Sequence, residues 1–136
     1  MTDRLTKARR SENMRRIRSK GMQPELATRR LVYSLGYRFR LHSKSLPGKP
    51  DLVFSKKKKI IEVRGCFWHQ HTGCVDSHIP KSRKEYWSLK LRGNVRRDHK
   101  NLRKLRRLGW KVRVIWECEA PELLRDPATI RKFLGR

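Results

Sequence analysis

Acidic residues are scarce in this sequence. Its 136 residues include 12 Asp and Glu against 37 Lys and Arg, which gives a formal net charge of +25. An excess of this size favours a polyanionic partner, because each phosphate that a basic side chain neutralises releases counterions. Nucleic acid is the expected partner, and a small basic structural protein of the ribosomal type is the alternative. The length corresponds to a single domain over residues 1–136 with a modest core.

The sequence also lacks long apolar runs. None approaches the ~20 residues that a membrane-spanning helix needs, and the N-terminal stretch has no apolar signal region. We therefore expect a protein without membrane association, located in the cytoplasm or on the nucleoid. Cysteine is rare as well: three are present, and an odd number in a reducing compartment favours metal binding over a disulfide framework.

Hydrophobic periodicity predicts an alternation of helices and strands. Helices are expected over 11–18, 21–36 and 83–109, with a bend at Gly93 and a last short helix opening at Asp126 and Pro127. Strands are expected over 37–43, 51–55, 60–64 and 110–117, with the four lysines at 56–59 forming a hairpin turn. This order predicts an α/β sandwich on a small mixed sheet.

Apolar side chains at helical spacing mark the faces that should be buried. In the second predicted helix this stripe is Ala27, Leu31 and Leu35. In the long helix it is formed by Val95, Leu102, Leu105 and Leu108. We expect Trp110 and Trp116, both on the last strand, to be core residues.

The segment GCFWHQHTGC at 65–74 concentrates candidate metal ligands. Zinc takes four thiolate or imidazole ligands in a tetrahedron. Cys66, His71 and Cys74 supply three, and Cys118 supplies the fourth if the last strand pairs beside the third. A zinc ion would hold a loop of roughly twenty residues that has little apolar content of its own. The alternative is separate buried thiols, and His69 is either another ligand or free for another role.

Two carboxylates on neighbouring strands predict a second metal site. Asp51 opens one strand and Glu62 lies on the next. If the strands pair in register, both can bind a hard cation such as magnesium, which activates water for phosphodiester hydrolysis. Arg64 would stabilise charge rather than act as a base. The alternative places Asp51 in an ordinary turn and Glu62 in solvent.

Four motifs taken together resemble the very-short-patch repair endonucleases: LPGKPDLVF, GCFWH, NVRRD and LGWKVRVIWEC, in this order. The resemblance covers about Met14 to Cys118. It implies a restriction-endonuclease-like three-layer sandwich, with a small central mixed β-sheet flanked by helices and a structural zinc site. It also implies magnesium-dependent nicking of one DNA strand beside a T:G mismatch left by deamination of 5-methylcytosine.

The resemblance assigns roles in hydrolysis to individual residues. Asp51 would bind magnesium with the backbone carbonyl of Val63, and His69 would be the general base, oriented by Asp98. Glu25 would contact metal-bound water near the leaving group. Zinc would be held by the four ligands named above, although Thr72 and Gly73 lengthen the usual gap before the second cysteine of the loop.

The resemblance also assigns residues that contact DNA. An aromatic wedge that unstacks the duplex would consist of Phe67, Trp68 and Trp87. On a basic N-terminal arm over residues 1–20, Met14 and Ile17 would wedge into the DNA from the minor groove. The neighbouring Arg15, Arg16 and Arg18 would hold phosphates. The implied partners are mismatched double-stranded DNA and proteins of mismatch repair, and nicking one strand requires only a monomer.

Each assignment has a structural alternative. The aromatic residues can belong to the core, Asp98 can pair with arginines one helical turn away, and Glu25 can interact with the helix dipole. Three other functions remain open on the sequence alone: a restriction-type endonuclease of the same fold without mismatch specificity, a non-catalytic zinc-dependent DNA-binding module, and a structural RNA-binding protein.

Overall fold

The computed structural model describes residues 24–135. The predicted helix over 11–18 and the DNA-contacting residues of the N-terminal arm lie outside this range. Helix α1 covers residues 24–34. It is followed by β1 (Arg40–Leu41), β2 (Leu52–Phe54), a 3-10 turn (Ser55–Lys57), β3 (Lys59–Arg64), a second 3-10 turn (Val75–Ser77), α2 (Lys84–Arg107), β4 (Lys111–Trp116), α3 (Ala120–Arg125) and α4 (Ala128–Leu134).

The four strands form one mixed sheet in the order β1-β2-β3-β4. Strands β1, β2 and β3 are antiparallel neighbours, and Leu52 pairs with Ile61. Strand β4 returns through α2 and pairs parallel to β3, with Arg64 opposite Trp116. The predicted mixed sheet is therefore confirmed, and so is the placement of the last strand beside the third.

Helices cover both faces of the sheet. On one face, α1, α3 and α4 contribute to a core around Leu52, Ile61 and Ile115. On the other face, Leu105 of α2 packs against Val53 and Ile60. Because side chains alternate along a strand, neighbouring residues of β2 and β3 serve opposite layers. Of the helices within residues 24–135, none is both long enough and apolar enough to cross a membrane.

The predicted strand over 37–43 is reduced to two residues, Arg40 and Leu41. Its partner explains the difference, because β2 ends at Phe54 and the chain then turns into the 3-10 segment. Residues before Phe39 therefore have no partner backbone. Phe39 itself lies 5.8 Å from Phe54 between ring centroids and packs against the core, although it is not part of a strand.

The helices depart from the predicted pattern in three ways. In α1 the fully buried positions are Thr28 and Val32, one position beyond the predicted stripe. Helix α2 runs through Gly93 without interruption. Helix α3 was not predicted, and Pro121 lies in its first turn. Two residues near the last strand also differ from the prediction. Trp110 and Trp116 were expected in the core, but both are only half-buried.

Leu105 and Leu108 were both predicted to lie on the buried face of the long helix, but they differ in burial, and this difference can be tested through stability. Leu105 is fully buried, whereas Leu108 follows the last helical residue and is 53% exposed. We expect Leu105→Ala to lower the free energy of unfolding by about 2–5 kcal/mol, and Leu108→Ala to change it by less than about 0.5 kcal/mol. Chemical denaturation of both variants measures the difference. Equal losses would contradict the placement of α2 against the sheet.

Candidate active site and metal centre

Asp51 lies immediately before β2, at the end of the sheet where β3 ends. Its Oδ2 atom accepts a hydrogen bond of 2.7 Å from the backbone N–H of Val63. Because Leu52 pairs with Ile61, Asp51 is opposite Glu62. The register therefore brings together the two carboxylates that the sequence placed on neighbouring strands.

A third carboxylate comes from α1. Glu25 accepts a hydrogen bond of 2.5 Å from Nε2 of His42, and the same nitrogen lies 3.6 Å from Oδ1 of Asp51. One ligand atom from each of these three residues lies within 4.8 Å of the others. Glu25, His42 and Asp51 thus form a cluster, called here the acidic triad, that has the ligand types of a metal site.

The environment of Asp51 disfavours its charge. Burial raises the pKa of Asp51 to about 6, and the negative charges of Glu25 and Glu62 add to this rise. The hydrogen bond from Val63 and the proximity of His42 act in the opposite direction but are outweighed. A bound cation would relieve this repulsion, because an opposite charge within a few ångströms favours the ionised carboxylate.

His69 and Asp98 form a second polar pair. Nδ1 of His69 lies 2.6 Å from Oδ2 of Asp98, which projects from α2. A carboxylate only accepts hydrogen bonds, so Nδ1 carries the hydrogen and Nε2 of a neutral ring keeps its lone pair. The peptide carbonyl of the neighbouring Trp68 accepts a bond of 3.1 Å from Asn94, which also ties this loop to α2.

A small cavity of about 130 Å³ joins the two groups, because both Asp51 and His69 line its wall. Gly48 and Asn101 also line this cavity, and Gly48 allows the turn before Asp51 to lie close to α2. At this glycine φ is +76°, and a Cβ atom would lie 2.9 Å from the side-chain amide of Asn101 on α2. A side chain at residue 48 would therefore force Asn101 to shift and would strain the backbone, so glycine suits the close approach of this turn to α2.

Glu62 and Arg64 occupy the remaining wall of this cavity. Their side chains form an ion pair of 2.7 Å and are both largely buried, at 12% and 13% exposure. The guanidinium of Arg64 also lies 5.9 Å from the ring centroid of Trp116. Glu62 is thus neither in solvent nor within the triad, and it raises the negative potential at Asp51 from the side.

The predicted Cys/His ligands come together at the same end of the sheet. Ligand atoms of Cys66, His71, Cys74 and Cys118 all lie within 4.8 Å of one another, and this set could hold a metal ion. Nδ1 of His71 is 3.4 Å from the sulfur of Cys118. All three cysteines are free thiols. The parallel pairing of β3 and β4 produces this cluster, because it carries Cys118 to the start of the loop.

Contacts with the end of β4 hold the loop in place. The N–H of Cys66 donates a bond of 3.0 Å to the carboxylate of Glu117. The ring of His71 stacks on Trp116, with centroids 4.3 Å apart and planes inclined by 9°. Burial raises the pKa of the Cys66 thiol to about 12, so a cation must displace its proton for the thiolate to form.

The aromatic residues of the predicted wedge form a cluster of their own. Phe67 lies 5.1 Å from Trp68 and 5.6 Å from Trp87 between ring centroids, in edge-to-face contact. Tyr86 extends the cluster, and the ammonium of Lys90 lies 5.6 Å from the Trp68 ring centroid. The three predicted wedge residues are half-buried, so the cluster is neither core nor fully exposed.

Comparison with known proteins identifies the family. The model of the DNA mismatch endonuclease Vsr family matches residues 2–75. The type II nicking enzyme V.XorIIP of Xanthomonas oryzae is 48% identical over 134 residues, covering 98% of each chain. The DNA mismatch endonuclease Vsr of Escherichia coli is 40% identical over 135 residues, covering 98% of this chain and 86% of that protein.

The chain belongs to the Vsr endonuclease family. A further relative, the type II nicking enzyme V.NmeAIP of Neisseria meningitidis, is 42% identical over 136 residues and covers all of this chain and 94% of that protein. The resemblance drawn from the four motifs is therefore confirmed. The relatives of this Vsr-family chain are DNA endonucleases by name, which supports the same general class here.

Sequence reasoning missed one residue of the acidic triad, His42. It was included in a predicted strand with no role. The structure ends that strand at Leu41 and gives His42 a φ of 45°, in the left-handed region. Alternating polarity across 37–43 predicts a continuous strand, and no local motif marks the turn, so only the tertiary structure reveals the contact with Glu25.

The raised pKa of Asp51 predicts that Asp51→Asn stabilises the fold when no divalent cation is added. The folded state holds the Asp51 proton with a pKa of about 6, against about 3.9 in the unfolded chain. Stability therefore falls as the pH rises through this window, and Asn escapes the loss because it does not titrate. At about pH 7 we expect a gain on the order of 1–3 kcal/mol.

Denaturation of both proteins over a series of pH values measures this gain. It should shrink as the pH falls from about 6 and vanish below about pH 4, where Asp51 is protonated in both states. A gain that is the same at every pH would show that the effect of Asn has another origin.

Proposed function

We propose that this Vsr-family chain is a mismatch endonuclease that nicks one DNA strand beside a T:G mismatch, by magnesium-dependent hydrolysis in very-short-patch repair. The observation that carries the proposal is the shared cavity of Asp51 and His69, since it pairs a candidate cation ligand with a candidate base. Family membership and the formal charge of +25 support the choice of DNA as substrate.

The residues around Asp51 fit magnesium. Magnesium prefers oxygen ligands, and the carboxylate of Asp51 and the carbonyl of Val63 would hold it, with Glu25 contacting its water. The clustered negative charge that raises the pKa of Asp51 also favours a dication. When bound, magnesium supplies charge neutralisation at the phosphoryl oxygens and a more acidic water.

His69 would take the proton from the attacking water. Its Nδ1–H is held by Asp98, which fixes the ring and leaves Nε2 as the acceptor. Arg64, which pairs with Glu62 on the cavity wall, would bind a phosphate oxygen through its remaining N–H groups. Glu62 thereby orients Arg64, and we assign it no direct role as a magnesium ligand.

The donor set of three cysteines and one histidine fits structural zinc. Thiolate and imidazole ligands are those of closed tetrahedral zinc sites, and Cys66, His71, Cys74 and Cys118 converge within the required volume. Zinc there would fix the segment 66–74 and, with it, Phe67, Trp68 and His69. The metal would thus act on catalysis only by holding the loop.

DNA would be engaged by the aromatic cluster and by basic side chains around it. Phe67, Trp68 and Trp87 would enter the base stack beside the mismatch, where unstacking costs less than in a matched duplex. Residues 1–20 would add phosphate contacts from an N-terminal arm. We propose a single domain over 1–136 that acts as a monomer on mismatched DNA, with mismatch-repair proteins as partners.

A nicking assay on a duplex with one T:G mismatch tests the proposal. Wild-type protein should nick this duplex in the presence of Mg²⁺ and leave the matched T:A duplex largely uncut. His69→Ala should lower the rate by about 10²–10⁴-fold, because it removes the general base, and Asp51→Ala should abolish nicking. His99→Ala, an exposed histidine on the same helix as Asp98, is the matched control.

The printed names of two relatives favour a second candidate, a nicking enzyme without mismatch specificity. V.XorIIP and V.NmeAIP are named type II nicking enzymes. This candidate predicts equal nicking of matched and mismatched duplexes, with the same loss on His69→Ala. The same assay therefore separates the two functions, and a protein that nicks neither duplex would refute both.

Zinc binding has its own test. We expect about one zinc per chain in purified protein and loss of that zinc in Cys118→Ser, measured with a chromogenic chelator after denaturation. Because metal binding stabilises the folded state, the variant should also unfold at a lower temperature than wild type. His78→Gln alters a nearby histidine outside the cluster and should keep its zinc. Zinc retention in Cys118→Ser would contradict the assigned ligand set.

A further inference from the structure

We infer that Glu25, His42 and Asp51 bind one divalent cation together, and that the His42 imidazole shifts the preference of this site from Mg²⁺ toward Mn²⁺. The inference deepens the proposed function, on which it rests, because it concerns the cation beside Asp51. It adds a nitrogen ligand that neither the motifs nor the family resemblance assigned, and it replaces the water-mediated contact of Glu25 proposed above with a direct bond to the cation.

The geometry of the acidic triad supports a shared cation. One ligand atom of each residue lies within 4.8 Å of the others, a spacing that a single ion with bonds of roughly 2.0–2.6 Å can bridge. Nε2 of His42 lies between the two carboxylates, 2.5 Å from Glu25 and 3.6 Å from Asp51. The imidazole thus occupies a position from which it can exchange a hydrogen bond for a metal bond.

The backbone holds His42 in this position. Its N–H donates a bond of 3.2 Å to the carbonyl of Asp51, and its φ of 45° is left-handed. Such a conformation is uncommon for residues other than glycine, although His, Asn and Asp adopt it more often than most. The register of β1 and β2 sets His42 opposite Asp51, and the backbone bond keeps the two residues together where the chain turns away from the strand.

The contacts that Glu25 and Asp51 make with neighbouring groups leave a carboxylate oxygen of each directed to the triad, where a cation could bind. Arg29 lies 3.8 Å from Glu25, one turn along α1, and contacts the carboxylate oxygen that His42 does not use. One oxygen of Asp51 accepts the hydrogen bond from Val63, and the other faces His42 within the triad. The His42 side chain is 49% exposed, so an ion can enter from solvent.

The ligand set determines which ion is preferred. Magnesium holds strictly to oxygen ligands and keeps several waters. Imidazole favours transition metals, whose affinity for nitrogen-containing sites rises from Mn²⁺ onward along the first row. Mn²⁺ is the suitable probe, since it accepts both carboxylate and imidazole and, unlike softer ions, has little tendency to replace zinc at the cysteines.

The experiment measures cation binding without DNA. Zinc-loaded, full-length protein is titrated with Mn²⁺, the free ion is followed by electron paramagnetic resonance, and Mg²⁺ is then added as competitor. His42→Asn suits the left-handed backbone but is too short to bridge both carboxylates. His42→Gln keeps the reach to Glu25 and replaces the nitrogen ligand by an amide. His99→Gln is the control.

In both His42 variants we expect the ratio of Mn²⁺ to Mg²⁺ affinity to fall by roughly tenfold, chiefly through weaker Mn²⁺ binding, whereas His99→Gln keeps the wild-type ratio. An unchanged ratio in both variants would overturn the inference. So would an equal loss for the two ions in His42→Asn that His42→Gln restores, because His42 would then only position Glu25. His42→Gln decides the question if His42→Asn does not fold.

Nicking of the T:G duplex by the wild type, assayed in parallel, separates this inference from the proposed function. No nicking with either cation refutes the proposed function regardless of residue 42. Nicking by the wild type, combined with an unchanged ion ratio in the variants, refutes the role of His42 alone. A wild type that nicks, with His42 variants that lose Mn²⁺ preference, supports both.

Discussion

Strand β3 pairs with β2 on one side and β4 on the other. The carboxylates around Asp51 and the cluster of Cys/His ligands both depend on this pairing. The antiparallel register of β3 with β2 sets the N–H of Val63 against Asp51. Its parallel register with β4 carries Cys118 to the beginning of the loop that follows Arg64. A slip of one residue would turn every side chain of the slipped strand to the opposite face. A slip of β2 would separate the carboxylates, and a slip of β4 would move Cys118 away from the other ligands.

The acidic cluster is a local exception in a strongly basic protein. The chain has only 12 acidic residues, yet Glu25, Asp51 and Glu62 converge at one end of the sheet, where the charges of Glu25 and Glu62 disfavour the ionisation of Asp51. A basic surface attracts the DNA backbone from a distance, whereas a recessed negative site attracts small cations. The basic surface acts over long distances and the acidic site over short ones, so DNA and a divalent cation can bind at neighbouring positions.

The order of most elements, the mixed sheet and the four clustered Cys/His residues could be predicted from the sequence, because each follows from periodicity or ligand chemistry. The proximity of Asp51 and Glu62 could be predicted as well, since strand alternation fixes which side chains share a face. The turn at His42, which depends on where β2 begins, could not be predicted from the sequence, nor could the burial of Leu105 rather than Leu108 near the end of α2. Both depend on neighbours distant in sequence, and periodicity records only the chain's own repeat.

The lysine turn lies at the far end of the sheet from this chemistry. The 3-10 segment Ser55–Lys57 and the left-handed Lys58 join β2 to β3, while Asp51, His69 and Cys66 lie beyond the opposite ends of these strands. The exposed side chains of Ser55 and Lys56 therefore offer an attachment point for a dye or an affinity handle. A reporter placed there would follow binding and unfolding of the molecule without entering the cavity or obstructing the aromatic rings.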